Sequence, residues 1–429
     1  MKSIAVSAVL AASSVQGYLI PPNTHKIDWR LEQKRQIVGT ITNLLGKGGK
    51  VADPAGFAPK RVVMETTSKV AGVKRIKMRY GPYMVPNMNK TSLVGESGML
   101  WNYPDLAIPK PCTECTIVAQ VAGLEYPDGK NANINTGMWL HHMVQLAIGP
   151  GRWDPTCYGR MSLPHFDVNA SPSNSERYFS SGNERTLVPL DILGTSTNWG
   201  YHVKSTDKFG FIVDLMNMNM EDKTVYLTMT YDIVDGPLPA GWKDVKVVWF
   251  DANQCGTSEV MPPKQSGSFT ITSGKWVPNF EGEPLGIGAH LHDGGASAEV
   301  MYGPGKSFCK SNAAYAEKPE YIAGSHAMAN AQPGGHAHGV ASKHISSMTV
   351  CFTDGKGGGI PVQKLSKDQS WFIQGRYDYD ANEGNKNGGG TQDEVMAIAL
   401  MYVKVEPGVK PASKTPVTVS QPVIKMISE

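Results

Sequence analysis

Short apolar runs recur along the chain, broken by Gly, Pro, Asn and Asp. They include Thr116 to Val121 (TIVAQV), Gly210 to Leu215 (GFIVDL), Thr224 to Tyr231 (TVYLTMTY), Lys246 to Phe250 (KVVWF) and Ala397 to Val405 (AIALMYVKV). All are rich in Val, Ile, Tyr or Trp, residues that suit a pleated, half-buried surface. No long stretch holds a helical period. The 46 Gly and 29 Pro supply turns at a density that suits many short strands. The pattern predicts an all-β protein of sandwich architecture.

At 429 residues the chain is too long for one ordinary sandwich core and suits two domains. The turn-rich segment Asp235-Gly-Pro-Leu-Pro-Ala-Gly241 separates two strand-rich halves, predicting domains over 61–236 and 237–407. Residues 18–60 read as an N-terminal extension or propeptide, and residues 408–429 as a tail. Ala381 to Gly390 (ANEGNKNGGG) reads as a flexible loop.

Charge narrows the function classes. The 41 Lys and Arg nearly balance 38 Asp and Glu, with no basic run of five or more. That predicts neither a nucleic-acid footprint nor a polybasic membrane patch. Residues 1–17 combine Lys2 with the apolar stretch Ile4 to Ala12 and small residues before Tyr18. This is the form of a secretory signal peptide, too short to span a bilayer. No later segment has the apolar length of a membrane span. Secretion to the extracellular space or cell wall is expected. The six cysteines, Cys112, Cys115, Cys157, Cys255, Cys309 and Cys351, then read as disulfide candidates. Cys309 with Cys351 is the first pairing to test, since both fall in one predicted domain. Cys112-Thr-Glu-Cys115 could be half of a zinc site, but no second CxxC follows. Asn89-Lys-Thr and Asn169-Ala-Ser are glycosylation sequons.

The eleven histidines cluster. His290-Leu-His292 has the spacing that puts two imidazoles on one face of a strand, and Gly288, Ala289, Gly294 and Gly295 leave room around them. A third ligand must come from elsewhere. His141 and His142 are adjacent, so a regular strand would point them to opposite faces. Both can serve one ion only at a strand end or a bulge. His336-Ala-His338 lies in a Gly-rich, loop-like context. His344 could reach a metal or cap a turn. His165 and His202 lack a partner in sequence and read as ordinary satisfied histidines.

Taken in order, these motifs resemble the ascorbate-dependent type II copper monooxygenases, the peptidylglycine α-hydroxylating and dopamine β-hydroxylating enzymes. They are similar also to secreted fungal relatives of that fold and to the stress-upregulated nodulin family of plants. The resemblance rests on KPCTECTI, MWLHHMVQL, ERYFSSGNERT, DLMNMNMEDKTVYLTMTYD, GAHLHDGG, HISSMTVC and DEVMAIALMY, over roughly residues 75–405. It implies two tandem jelly-roll-like antiparallel β-sandwiches, each giving one copper site to a solvent-filled cleft. On that analogy His141 and His142 hold an electron-storing copper, and His290 and His292 hold a copper that binds dioxygen. Up to two copper ions and ascorbate as electron donor follow, with hydroxylation of a C–H bond in a substrate the sequence does not name.

Several positions depart from that pattern. No third His stands in the strand GFIVDLMN; Met216 falls nearest the place, followed by Met218 and Met220. A thioether there would favour Cu(I), and core filling by flexible Met side chains is the alternative. At the second site an ungapped match places Val395 where the family has Met, with Met396 beside it. A bulge would restore Met396 as ligand. The residues that anchor the carboxylate of a peptide substrate are replaced by Gly288, Ala397 and Ala399, so a glycine-extended peptide is not the expected substrate. Three readings follow: a copper-dependent monooxygenase, a non-catalytic copper- or ligand-binding extracellular or stress-associated protein on the same fold, or a cell-wall or stress-associated structural protein. No catalytic side chain beyond the metal ligands, and no oligomeric state, is assigned from sequence.

Overall fold

The structure is a computed structural model that describes residues 48–92, 97–158, 174–191, 197–254, 258–263, 266–323, 343–352, 364–386, 392–412 and 422–427. The proposed signal peptide, most of the N-terminal extension, Asn169, Cys255, Gly388 to Gly390 and His165, His326, His336 and His338 lie outside the described residues.

The chain is all-β. Its first strands are β1 (Gly49–Lys50), β2 (Arg61–Met64), β3 (Val73–Val85), β4 (Met99–Ile108), β5 (Cys115–Glu125), β6 (Met138–Ile148) and β7 (Ser175–Gly182). Then come β8 (Val188–Pro189), β9 (Trp199–Val203), β10 (Lys208–Asn217), β11 (Lys223–Asp235), β12 (Lys243–Asp251), β13 (Ser268–Thr272) and β14 (Glu283–Leu291). The last are β15 (Gly295–Tyr302), β16 (Lys306–Tyr315), β17 (Ile345–Met348), β18 (Cys351–Phe352), β19 (Trp371–Asp378), β20 (Ala397–Val405) and β21 (Val423–Met426). Among the described residues the only helical pieces are two 3₁₀ turns, Ile134–Thr136 and Pro319–Tyr321.

Three sheets form a sandwich-like stack. One runs β1-β3-β11-β5-β9-β12-β20-β14-β18, with β2 and β8 attached to β3 and β5. A four-stranded sheet runs β4-β10-β6-β7, and a six-stranded sheet runs β17-β16-β15-β19-β13-β21. The long sheet is continuous because β9 and β12 pair in parallel, Lys243 opposite Trp199.

Burial shows how the layers share this sheet. Met396, Ile398, Leu400 and Tyr402 join the core that holds Leu140, Val213, Leu227 and Tyr231. The alternate residues Val395, Ala397, Ala399, Met401 and Val403 join a second core with Phe269, Val300 and Trp371. Thus β20 is buried on both faces, which explains its nearly unbroken apolar sequence. Alternation carries over to β14, paired with β20: Ile287, Ala289 and Leu291 enter the second core. Gly286, Gly288 and His290 therefore face the other way.

A buried charge network ties the four-stranded sheet to the long one. Arg152 Nη1 donates to Glu176 Oε1 at 2.7 Å, and Tyr201 donates to the same oxygen at 2.5 Å. Lys246 pairs with Glu176 Oε2, and Arg152 also pairs with Asp207. Arg177 bonds Asp154 at 2.6 Å and lies over Trp249. Burial works to raise the Glu176 pKa, but Lys246 and Arg152 outweigh it and hold this carboxyl below its ordinary value.

Disulfides Cys112–Cys115 and Cys309–Cys351 are present. Cys157 is also disulfide-bonded. Asn89 is exposed in a turn. No helix among the described residues is long and apolar enough to cross a membrane.

Removing the Glu176 charge leaves buried Lys246 without its carboxylate and Arg152 with Asp207 alone, so Glu176→Gln is expected to cost about 3–5 kcal/mol in chemical denaturation. The carboxyl is depressed in the folded state, so its stabilisation is complete above its ordinary pKa of 4.5 and fades as pH falls through the lower folded value. The wild type should therefore lose more stability than Glu176→Gln on acidification below about pH 4.5, and equal losses would contradict the linkage.

Candidate metal centre

The pairing of β6 with β10 places the adjacent histidines. Asp214 lies opposite His142, while the next residue, Leu215, lies opposite Leu140. His141 is thus the extra residue of a β-bulge, which breaks the strict alternation of a strand. The pairing of β10 with β4 is also irregular here, Val213 opposite Tyr103 and Leu215 opposite Leu100. Asn102, in that second bulge, takes a left-handed φ of 44°. Asp214 sits between the two bulges. One carboxylate oxygen accepts from the Asn102 backbone N–H, and the other lies 2.9 Å from His142 Nε2. The Asp214 carboxylate thus stands against the His142 ring as a buried negative charge.

His292 arrives from the other half of the chain. It follows the end of β14, at the turn His292-Asp-Gly-Gly, where Gly294 takes a φ of 87° and Gly295 N–H donates to the His292 carbonyl at 3.1 Å. His292 Nδ1 donates to the Glu394 carbonyl at 2.8 Å. The hydroxyl of Tyr377 accepts from His292 N–H at 3.2 Å and donates to the Met396 carbonyl at 2.5 Å, tying the end of β14 to the start of β20. His292 Nε2 is buried and has no hydrogen-bond partner among the described residues.

Ring nitrogens of His141, His142 and His292 lie within 4.8 Å of one another, and all three residues are buried. The ring centroids of His141 stand 4.8 Å from those of both His142 and His292. Burial, reinforced by His141, His290 and His142, pushes the His292 pKa well below the usual histidine value. Its imidazole is therefore neutral, the form that binds a metal. A buried, unpaired imidazole nitrogen costs about 1–3 kcal/mol unless a donor or ion meets it. Three converging imidazoles, two of them with an outer partner, fit copper, and by donor type alone they also fit zinc.

The two histidine motifs thus meet in one group, and three of their four imidazoles converge. His290 stands beside it, its ring 5.5 Å from that of His292. Its Nδ1 is 3.0 Å from Glu184 Oε2, and its Nε2 is buried without a hydrogen-bond partner among the described residues. Burial would raise the Glu184 pKa, but His290 and local hydrogen bonds keep the carboxyl below its ordinary value. Gly182 makes this contact possible. A Cβ there would fall 2.4 Å from His290 Cε1 and 2.8 Å from Glu184 Oε2.

The remaining expected ligands are placed as follows. Met216 lies opposite Trp139 and packs in a small cluster with Trp139, Met218, Ile134 and Tyr321. Met396 is fully buried in the first core, on the β20 face opposite to Val395. By alternation that is the face His290 shares. His344 bonds Asp293 Oδ2 at 2.6 Å and stacks edge-on against Trp139 at 4.4 Å. His202 pairs with Glu114 at 2.9 Å, remote in sequence from both motifs. Sequence reasoning passed over Asp214 and Glu184. A lone acid inside the apolar run GFIVDLMN was the available signal for Asp214, because buried carboxylates are rare without a partner.

The close contacts at Gly182 predict that Gly182→Ala destabilises the fold by about 1–3 kcal/mol in chemical denaturation. An unchanged midpoint would mean that His290 and Glu184 have room to separate.

Comparisons with known proteins agree with a copper centre. No family profile matches the chain. In solved structures the resemblance is slight: PNGase F, a glycosylasparaginase from Flavobacterium meningosepticum, matches at a TM-score of 0.32 and 10% identity, over 82% of this chain and 99% of that one. Sequence relatives are nearer. The chain is 29% identical to probable copper-dependent oxygenase clz3 of Cochliobolus lunatus over 66% of its own length and 77% of the relative's. It is 30% identical to probable copper-dependent oxygenase M1 of a Phoma species over 80% of its own length and 74% of the relative's. By this extended identity, the chain belongs to the family of copper-dependent oxygenases that these two proteins represent.

Proposed function

We propose that the protein is a copper-dependent oxidoreductase whose ion is held by His141, His142 and His292. The observation that carries this is the convergence of three buried imidazoles, drawn from the two halves of the chain, to within 4.8 Å. Copper, when bound, supplies one-electron redox and dioxygen chemistry. The protein's own contribution is to present the ligands: Asp214 orients His142, and the Glu394 carbonyl orients His292. Burial of all three residues shields the imidazoles from bulk water. The resemblance to ascorbate-dependent monooxygenases makes ascorbate the electron donor to test first, with C–H hydroxylation as the reaction and secretion as the setting.

A second reading, with two ions, is favoured by one feature. The orphaned His290 Nε2 and the Met396 side chain belong to one face of the shared sheet, where a further soft metal would find an imidazole and a thioether.

Metal analysis of the copper-loaded chain separates these readings. About one copper per chain, lost in His292→Ala and in a His141→Ala/His142→Ala double variant, is expected. Two coppers, one of them surviving His292→Ala, would replace the single centre by the two-ion arrangement. No retained copper would overturn both. Asp214→Asn, which keeps the shape but removes the charge behind His142, should weaken copper binding about 10–100-fold in a chelator competition. Ascorbate-driven oxygen uptake that follows the copper content across these variants would support the oxygenase activity.

A further inference from the structure

Of the three converging imidazoles, only that of His292 comes from the second half of the chain. It sits on the turn His292-Asp-Gly-Gly, where two adjacent glycines leave the backbone unusually free. Such a turn fixes a ring only if its surroundings hold it. Here they do. The Tyr315 hydroxyl donates to the Gly295 carbonyl at 2.8 Å. Gly294 lies against Tyr379, where a Cβ would fall 2.4 Å from the ring. Asp293 uses both carboxylate oxygens on one short segment. Oδ1 accepts from the Ile345 N–H at 2.9 Å, and Oδ2 lies 2.6 Å from His344 Nδ1.

The Asp293 contact reaches beyond its own half. His344 meets Trp139 edge-on, with ring centroids 4.4 Å apart, and Trp139 lies on β6 two residues before His141. Tyr321, whose carbonyl accepts from the His344 N–H at 3.4 Å, packs in the same cluster as Trp139. Asp293, His344 and Trp139 are all buried. A closed circuit results. It runs from Trp139 to His141 along β6, across the metal centre to His292, on to Asp293, and through His344 back to Trp139. The strut Asp293–His344–Trp139 therefore spans the same two elements that an ion would bridge. Apolar side chains would fill this space equally well. A buried carboxylate instead demands particular partners, and so admits few arrangements of the segments that supply them.

We infer that Asp293, His344 and Trp139 are positioning residues that hold His292 at its distance from His141 and His142 before any ion arrives. This rests on the copper reading for the identity of the ion, but a preassembled donor set can be tested without metal. With the strut in place, binding does not have to order the two halves of the chain against each other, and affinity rises accordingly. His344 acts through Asp293 and Trp139 and does not itself touch the ion.

The test uses the full chain, copper-loaded and metal-free. His344→Ala is expected to weaken copper binding about 10–100-fold in a chelator competition. Asp293→Asn keeps the shape of the carboxylate and should act in the same direction even if His344→Ala folds poorly. Trp139→Phe, which keeps an aromatic partner for His344, should stay within about threefold of wild type, whereas Trp139→Leu should not. Pulsed EPR of the Cu(II) forms should count the same coupled imidazole nitrogens in His344→Ala as in wild type. One fewer would make His344 a ligand and overturn the inference. In the metal-free chain, amide exchange over residues 292–295 should quicken about tenfold or more in His344→Ala, with β3 and β11 unchanged. Unchanged exchange at the turn, unchanged copper affinity in both His344→Ala and Asp293→Asn, or faster exchange throughout the chain would each overturn it. Quickened exchange confined to the turn, in a chain whose wild type retains no copper, would sustain the strut while removing the copper reading.

Discussion

The double burial of β20 and its neighbour β14 is the constraint on which the rest of this structure depends. A sheet with one wet face could carry a histidine pair toward solvent or toward a single core. Here both faces are occupied, one by the core beneath the four-stranded sheet and the other by the core beneath the six-stranded sheet. Beyond the irregularity at Pro284–Gly286, each residue of these strands is committed to one side by parity. His290 faces the first half of the chain for that reason, and the short turn beyond β14 brings His292 to His141 and His142. A single-residue slip in the pairing with β20 would exchange Met396 with Val395 and His290 with Leu291.

Local irregularity then does what regular strands cannot. An adjacent histidine pair serves one ion only if the alternation of β6 is broken, and the bulge at His141 breaks it. The neighbouring irregularity at Asn102 turns a backbone N–H toward Asp214, so the carboxylate that orients His142 is itself held from behind. Glu184 and the Glu394 carbonyl play the corresponding part for His290 and His292. For His290 and His292 the outer contact uses Nδ1, and Nε2 has no hydrogen-bond partner among the described residues.

Much of the fold was legible in sequence because its signal is local. AIALMYVKV coincides with β20, and GFIVDL, TVYLTMTY, KVVWF and TIVAQV fall inside β10, β11, β12 and β5. The histidine motifs were legible as chemistry, and so was the need for a bulge or strand end at His141-His142. Their convergence was not, since it is set by strand order between distant segments, including the parallel contact of β9 with β12. The family pattern led to separate centres for the HH and HxH motifs, whereas the packing puts their rings side by side. Asp214 and Glu184 were missed because each has meaning only through a partner far away in the chain.

A donor set divided between residues 141–142 and residue 292 has a consequence for the chain as a polymer. An ion held there would act as a reversible cross-link, closing a long loop through the two halves. Loop closure restricts the unfolded chain far more than the folded one, where the ends already meet. Free metal would then draw the equilibrium toward the closed form by mass action. The two cores, already fused through β20, would come apart together, with the metal concentration setting how hard that separation is.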